Sequence, residues 1–252
     1  GVLVNADGTL AGSGFNISDG AELRRSPAVF YSSDLTGYLV VFEVVAAEDV
    51  DIYGRTVASG GTLPGSDFVI CGASNDQLYP DVVYNGYDDV YLVVWSDQQN
   101  DPGDIYGTRV EPDEDLLGWF SASIAADAQT HPTVAFNSAA NEYLVAWHDY
   151  RTSGVTGADI YAQRMSHTGT PQGSDVRLSG TSTLDDQQYP RAQYISAHNR
   201  YFVLWQDNRN AVTGWDIYGQ NVNADGSLYM FNVPYFVFSG WQQRPDGTFS
   251  VE

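Results

Sequence analysis

A run of the form Tyr-x-Val-x-Trp, followed a short distance on by Asp-Ile-Tyr, recurs along the chain and limits what it can fold into. Tyr91-Leu-Val-Val-Trp95 leads to Asp104-Ile-Tyr-Gly107, and Tyr143-Leu-Val-Ala-Trp147 to Asp159-Ile-Tyr-Ala162. Tyr201-Phe-Val-Leu-Trp205 leads to Asp216-Ile-Tyr-Gly219. A divergent copy runs from Tyr38-Leu-Val-Val-Phe42 to Asp51-Ile-Tyr-Gly54. A proline precedes each copy, at Pro27, Pro80, Pro132 and Pro190, and Pro245 follows the last, giving spacings of 53, 52, 58 and 55. Periods of this length mean a repeat architecture whose units bury their faces against one another.

Each unit holds four strand-like runs, here lettered A to D. Strand A is expected to follow the proline, B is the Tyr-x-Val-x-Trp run, C opens on Asp-Ile-Tyr, and D is short, as in Phe68-Val-Ile70. The runs are rich in β-branched and aromatic residues and are separated by Gly, Asn, Asp or Pro. Asn5-Ala-Asp-Gly8 and Asn223-Ala-Asp-Gly226 carry hairpin-turn chemistry between C and D. No segment shows a competing helical period. Four short antiparallel strands per roughly fifty residues describe a propeller blade. Strand B is apolar on both faces, as a sheet packed between two neighbours requires.

The fold class expected is therefore all-β: a five-bladed β-propeller of four-stranded antiparallel blades, forming one domain over 1–252. Its repeats run over about 27–79, 80–131, 132–189 and 190–244. The opening Gly1-Val-Leu-Val-Asn-Ala-Asp-Gly8 matches Gly219-Gln-Asn-Val-Asn-Ala-Asp-Gly226, and Gln242-Gln-Arg-Pro245 matches Gln187-Gln-Tyr-Pro190. A fifth blade would thus be shared between the termini, from 1–26 plus 245–252, with Phe15-Asn-Ile17 as its strand D. Positions matching 198–218 have no counterpart in that blade, so it lacks a strand B. A short blade, a segment cut from a longer chain and a strand donated by a partner are the three explanations. The start on Gly1, with no basic-then-apolar leader, reads as a processed chain.

The Tyr-x-Val-x-Trp-x-Asp-x-Arg … Asp-Ile-Tyr-Gly … Asp-Gly-Thr-Leu pattern resembles tandem repeats of large secreted and cell-surface proteins of bacteria and archaea. The resemblance covers the whole chain. It implies a propeller in a surface or extracellular setting, often beside adhesion or enzyme modules, and implies no single activity. The first repeat departs from it, with Phe42 in place of Trp and Glu43-Val-Val45 in place of the x-Asp-x stretch.

Charge narrows the function. The net charge is −21, from 32 acidic and 11 basic residues, every basic one an arginine. Such a field repels nucleic acid and anionic membrane surfaces, and no apolar run is long enough to insert as a helix. Cys71, the lone cysteine, reads as a buried small apolar residue.

Candidate site residues cluster just ahead of the repeat proline. Gln77, Gln129, Gln187 and Gln242 lie three residues before it, and Tyr79, His131, Tyr189 and Arg244 immediately before it. With strand A innermost, these residues would ring the mouth of the central channel on the face that carries the B–C and D–A loops. Aromatic rings stack on sugar faces and amides fix hydroxyls, so this ring is the candidate ligand-binding set. The competing reading is that the glutamines join blades and the tyrosines pack between them.

Asp97, Asp149 with Arg151, and Asp207 with Arg209 are expected to pair and fix the B–C loops. The Asp that opens strand C in every blade is expected to be architectural, because an active site needs asymmetry. No cofactor is called for. Calcium is the one candidate, at Asp97, Asn100, Asp101 and Asp104. The four histidines lack metal-ligand spacing.

The leading expectation is a non-catalytic extracellular module, secreted or on the cell surface, that binds a glycan or protein or serves as a scaffold. The first alternative is a glycoside hydrolase of five-bladed propeller type, with Glu22, Asp76, Asp127 and Asp186 converging from the D–A loops. The second is a structural subunit that self-assembles through the incomplete fifth blade.

Overall fold

The structure, a computed structural model, describes residues 1–34, 36–100, 102–180, 185–210, 214–229, 242–243 and 249–250. Three four-stranded antiparallel sheets follow one another along the chain. Blade 1 is β1 (Leu23–Ser32), β2 (Gly37–Val45), β3 (Val50–Ala58) and β4 (Phe68–Cys71). Blade 2 is β5 (Gln77–Asn85), β6 (Val90–Asp97), β7 (Asp104–Val110) and β8 (Leu116–Ser123). Blade 3 is β9 (Gln129–Asn137), β10 (Glu142–Asp149), β11 (Asp159–Ser166) and β12 (Val176–Arg177). Blade 4 shows three strands, β13 (Gln187–Ile195), β14 (Arg200–Asn210) and β15 (Gly214–Asn223). A two-residue pairing of β16 (Gln242–Gln243) with β17 (Phe249–Ser250) completes the described strands.

The blades pack face to face, and the alternation of strand B shows how. Tyr91, Val93 and Trp95 of β6 join Leu39, Val41 and Ile52 of blade 1 in one buried cluster. The residues between them, Leu92 and Val94, join Val134, Tyr143, Val145 and Trp147 of blade 3 in another. A third cluster joins Leu144 and Ala146 to Val203 and Trp205 of blade 4. One strand thus supplies two interfaces, which is why its sequence is apolar throughout. The Gly of the Asp-Ile-Tyr-Gly motif has a packing reason. At Gly107 a Cβ would lie 2.6 Å from the Phe120 ring and 2.8 Å from the Val93 carbonyl oxygen.

The first strand of each blade is innermost and lies beside its counterpart in the next blade. Contrary to the sequence expectation, these strands do not start after the proline. They start three residues earlier in blades 2–4, and the proline sits inside the strand at a β-bulge. Leu78 pairs with Ser96 and Asp81 with Val94, so Tyr79 and Pro80 together face Trp95. The same two-against-one step recurs at Ser26–Pro27, His131–Pro132 and Tyr189–Pro190. A proline has no N–H to give the ladder, and a bulge is where a sheet tolerates that loss.

The turn between the third and fourth strands is also repeated. Asn5, Ala58, Glu111, Ser166 and Asn223 each donate their N–H to the carbonyl four residues on. The residue before that acceptor is left-handed each time: Gly8, Gly61, Glu114, Gly169 and Gly226. This is a type I turn closed by a G1 bulge. Residues 1–22 carry one of the five copies. They form no named strand, but Val4 bridges Leu10 and Gly1 exchanges hydrogen bonds with Phe15. Phe15 and Ile17 pack on the outer face of blade 1. No helix among the described residues is long and apolar enough to cross a membrane.

Candidate functional site at the hub

The bulges converge on the axis. Ser26, Tyr79, His131 and Tyr189, the four residues ahead of the prolines, hold φ values of 50°, 57°, 52° and 56°. A non-glycine residue in this region costs about 1 kcal/mol or more, and such outliers gather where a side chain must be aimed. Here the bulge turns the side chain toward the axis. The Tyr79 and His131 rings stack at 3.5 Å between centroids, and Tyr189 meets His131 edge-on at 4.7 Å. His148 lies 4.7 Å from His131, and Tyr150 lies 5.5 Å from His148.

A cavity of about 480 Å³ opens at this point and takes its walls from blades 1 to 4. Tyr79, Pro80, Asp81, His131 and Pro132 line it together with Ser26, Pro27, Ala28, Val29 and Arg191. Asp81 is half-buried at its wall and accepts hydrogen bonds from the Thr133 hydroxyl (2.8 Å) and the Val134 N–H (3.0 Å) of the next blade. The close packing of protein around it raises its pKa against those hydrogen bonds. Burial pushes His131 down to about 4 and His148 down to about 3, so both rings are neutral at neutral pH. His148 Nδ1 accepts the Tyr189 N–H at 3.3 Å, which places its proton on Nε2. Glu43, at the same strand position in blade 1, is fully buried. It accepts the Tyr79 N–H at 2.7 Å and the Arg25 Nε–H at 2.5 Å.

The glutamines are placed differently from their expected role. Gln77, Gln129 and Gln187 are fully buried. Their amide N–H groups are donated to D–A loop carbonyls, at Ala73 and Asn75, at Ala125, Ala126 and Asp127, and at Asp185. They brace the loops behind the hub, so of the expected ring Tyr79 and His131 line the cavity, Tyr189 packs edge-on against His131, and the amides stand back. Gln242 falls in β16, and Arg244 lies outside the described residues.

The loop carboxylates proposed for a hydrolase also have other employment. Asp76 Oδ1 accepts the Val50 N–H and Asp186 Oδ1 the Ala158 N–H, so each pins the start of the preceding blade's third strand. Asp127 is a left-handed turn residue, and Glu22 pairs with Arg24. The expected Asp–Arg clasps are present. Asp149 takes the Trp147 indole N–H and both the Nε and Nη2 of Arg151, and Asp207 does the same with Trp205 and Arg209. Of the calcium candidates, Asp97 gives its oxygens to Trp95 and to the Gln99 N–H, and Asp101 lies outside the described residues.

Sequence reasoning missed Asp81, Arg191 and Glu43. The signal was available where the repeat breaks. The residue after the proline is Ala28, Asp81, Thr133 and Arg191 in successive blades, and the residue after the strand-B aromatic is Glu43, Ser96, His148 and Gln206. The framework repeats while the hub does not.

Comparison with known proteins bears on the fold. Solved structures that match include β-propeller enzymes acting on glycans. The catalytic domain of a GH62 α-L-arabinofuranosidase from Coprinopsis cinerea matches with a TM-score of 0.56 at 11% identity, over 93% of this chain and 74% of that one. An endo-arabinase from Bacteroides thetaiotaomicron gives 0.53 at 12%, over 90% and 87%. An N-acetylgalactosamine deacetylase from F. plautii, solved with blood group B trisaccharide, gives 0.54 at 12%, over 84% and 70%. At these identities the likeness is one of fold. No family model and no curated protein matches the chain. The expectation of a non-catalytic binding or scaffold module is corrected here, because the matching solved structures are glycoside hydrolases and allied enzymes. The hydrolase alternative carries forward.

Proposed function

We propose that the chain is a glycoside hydrolase of five-bladed propeller type that seats a sugar in the hub cavity. The observation that carries this reading is Asp81, a carboxyl with a raised pKa on the wall of an aromatic-lined cavity, on a fold shared with glycan-cleaving enzymes. Such enzymes work with two carboxyl groups in different environments. Asp81, held toward its protonated form, is the proton donor to the departing glycosidic oxygen. Glu43, fully buried and ion-paired with Arg25, holds the Tyr79 backbone in place behind the cavity wall. Tyr79, His131 and Tyr189 offer ring faces and edges to a pyranose or furanose.

Five copies of the C–D turn support five blades, the fifth built from both termini. A secreted or cell-surface setting accords with the repeat resemblance and with a polysaccharide substrate.

Release of reducing sugar from arabinan, xylan, mannan and pectin tests the reading. Asp81→Asn should lower the rate about 100-fold or more, as loss of a general acid does. Activity should fall as pH rises through the raised pKa of Asp81. Absence of release from every polysaccharide by the intact chain would sink the proposal.

A further inference from the structure

We infer that the hub cavity selects an acidic sugar, binding the carboxylate of a uronic acid through Arg191. The inference rests on the hydrolase reading above and adds the substrate class. In a chain of net charge −21, cations are scarce and most are matched. Arg24, Arg25, Arg55, Arg151, Arg164, Arg177 and Arg209 each sit in an ion pair with a carboxylate. Arg191 has no such pair among the described residues and is exposed on the wall of the central cavity. Its only described hydrogen bond is Nη1–H to the Pro190 carbonyl oxygen, at 2.9 Å.

The surroundings keep that charge unmatched. Asp81 is the cavity-lining carboxyl, and burial favours its neutral form. Glu43 is matched by Arg25. His131 and His148 are neutral near pH 7. The charge of Arg191 is felt at both Asp81 and His131, which puts it beside the proposed proton donor and the ring stack. A strongly acidic protein repels anionic polymers at long range, so one unmatched guanidinium at the axis is a local well for a carboxylate. The planar fork of arginine matches a carboxylate in two parallel hydrogen bonds, whereas a neutral hydroxyl pair gains less. Position 191 also breaks the repeat, standing where the other blades have Ala28, Asp81 and Thr133.

Calorimetric titration of the intact chain with tri-galacturonate, its methyl ester and neutral galactotriose tests the inference. Tri-galacturonate is expected to bind about 10- to 100-fold more tightly than the two neutral sugars, with the preference falling as salt rises. Arg191→Gln should erase the preference, and Arg191→Lys should restore part of it. Equal binding of all three sugars, or a preference that survives Arg191→Gln, would overturn the acidic-sugar inference and leave the hydrolase reading standing. Hydrolysis confined to neutral polysaccharides would do the same. Failure of every sugar to bind, together with no hydrolysis, would overturn both.

Discussion

Blades 1 and 3 have the same strands in the same register, yet they bury different chemistry at the end of strand B. In blade 3, Trp147, Asp149 and Arg151 form a clasp, and the guanidinium of Arg151 lies 4.1 Å from the Tyr161 ring centroid. In blade 1 the same positions are Phe42, Val44 and Ala46, and the loop closes with an Ala46 N–H to Asp49 carbonyl hydrogen bond. Val44 sits in an apolar cluster with Val40, Phe42 and Phe15. The clasp is therefore one of two ways to fill the outer interface. One residue away, the blades agree. Glu43 and His148 both accept the N–H of the next blade's bulge residue, Tyr79 or Tyr189. The outer position only has to be filled and satisfied, whereas the inner one has to hold a strained backbone that aims a ring at the axis.

The largest effect should come from forcing the clasp's chemistry onto blade 1. Val44→Asp places a carboxylate among apolar side chains with no indole N–H to receive, and should cost about 4 kcal/mol or more by urea denaturation. A loss under 1 kcal/mol would show that the blade 1 interface is wet. Asp149→Ala should come next, at about 3 kcal/mol, because it leaves the buried Trp147 N–H without its acceptor and strips Arg151 of one of its two carboxylate partners, Asp175 remaining. Val44→Ala, its blade 1 counterpart, should cost about 1–2 kcal/mol by the methyl groups removed.

Acid should separate the blades further. His131 and His148 titrate lower in the folded chain, to about 4 and about 3, than a free histidine near 6.5. The unfolded chain therefore binds more protons between these limits, and stability is lost as pH falls from 6.5 toward 4. The loss should reach a few kcal/mol, on the order of 3, after allowing for partial solvation of His131. His148→Gln, the residue blade 4 already uses at Gln206, should flatten that limb in a melting series. An unchanged limb would place the acid sensitivity elsewhere.

The smallest change carries the most functional weight. Asp81 has a raised pKa, so its favourable contribution is full below the unfolded value and fades as pH rises through the folded one. Asp81→Asn keeps an acceptor for Thr133 and Val134 and removes the neutral-pH penalty, so stability at pH 7 should hold or rise by up to about 1 kcal/mol. A variant that is as stable as the parent but inactive would mark a residue kept for chemistry. A destabilised variant would mark Asp81 as a bridge between blades.

Much of this arrangement was legible in the chain. The Trp-x-Asp-x-Arg spacing predicted the clasps, because residues two apart on a strand share a face. The apolar strand B predicted burial on both sides. The position of the proline was misread, because an isolated Pro in an extended run looks like a boundary and only the partner strand reveals a bulge. The glutamines were placed at the channel for the same reason, since a one-residue bulge changes which face a side chain takes.

The sequence alone determined the repeating belt: strand order, the turn with its left-handed Gly8, Gly61, Gly169 and Gly226, and the aromatic that ends the apolar run of strand B. These follow from local propensity and two-residue periodicity, which act within one unit. Only the tertiary structure decided the hub. Asp81, His131 and Arg191 come from three blades, dozens of residues apart, and meet because strand A is innermost in each. Their protonation and charge depend on what surrounds them across those blades, and no local pattern encodes that.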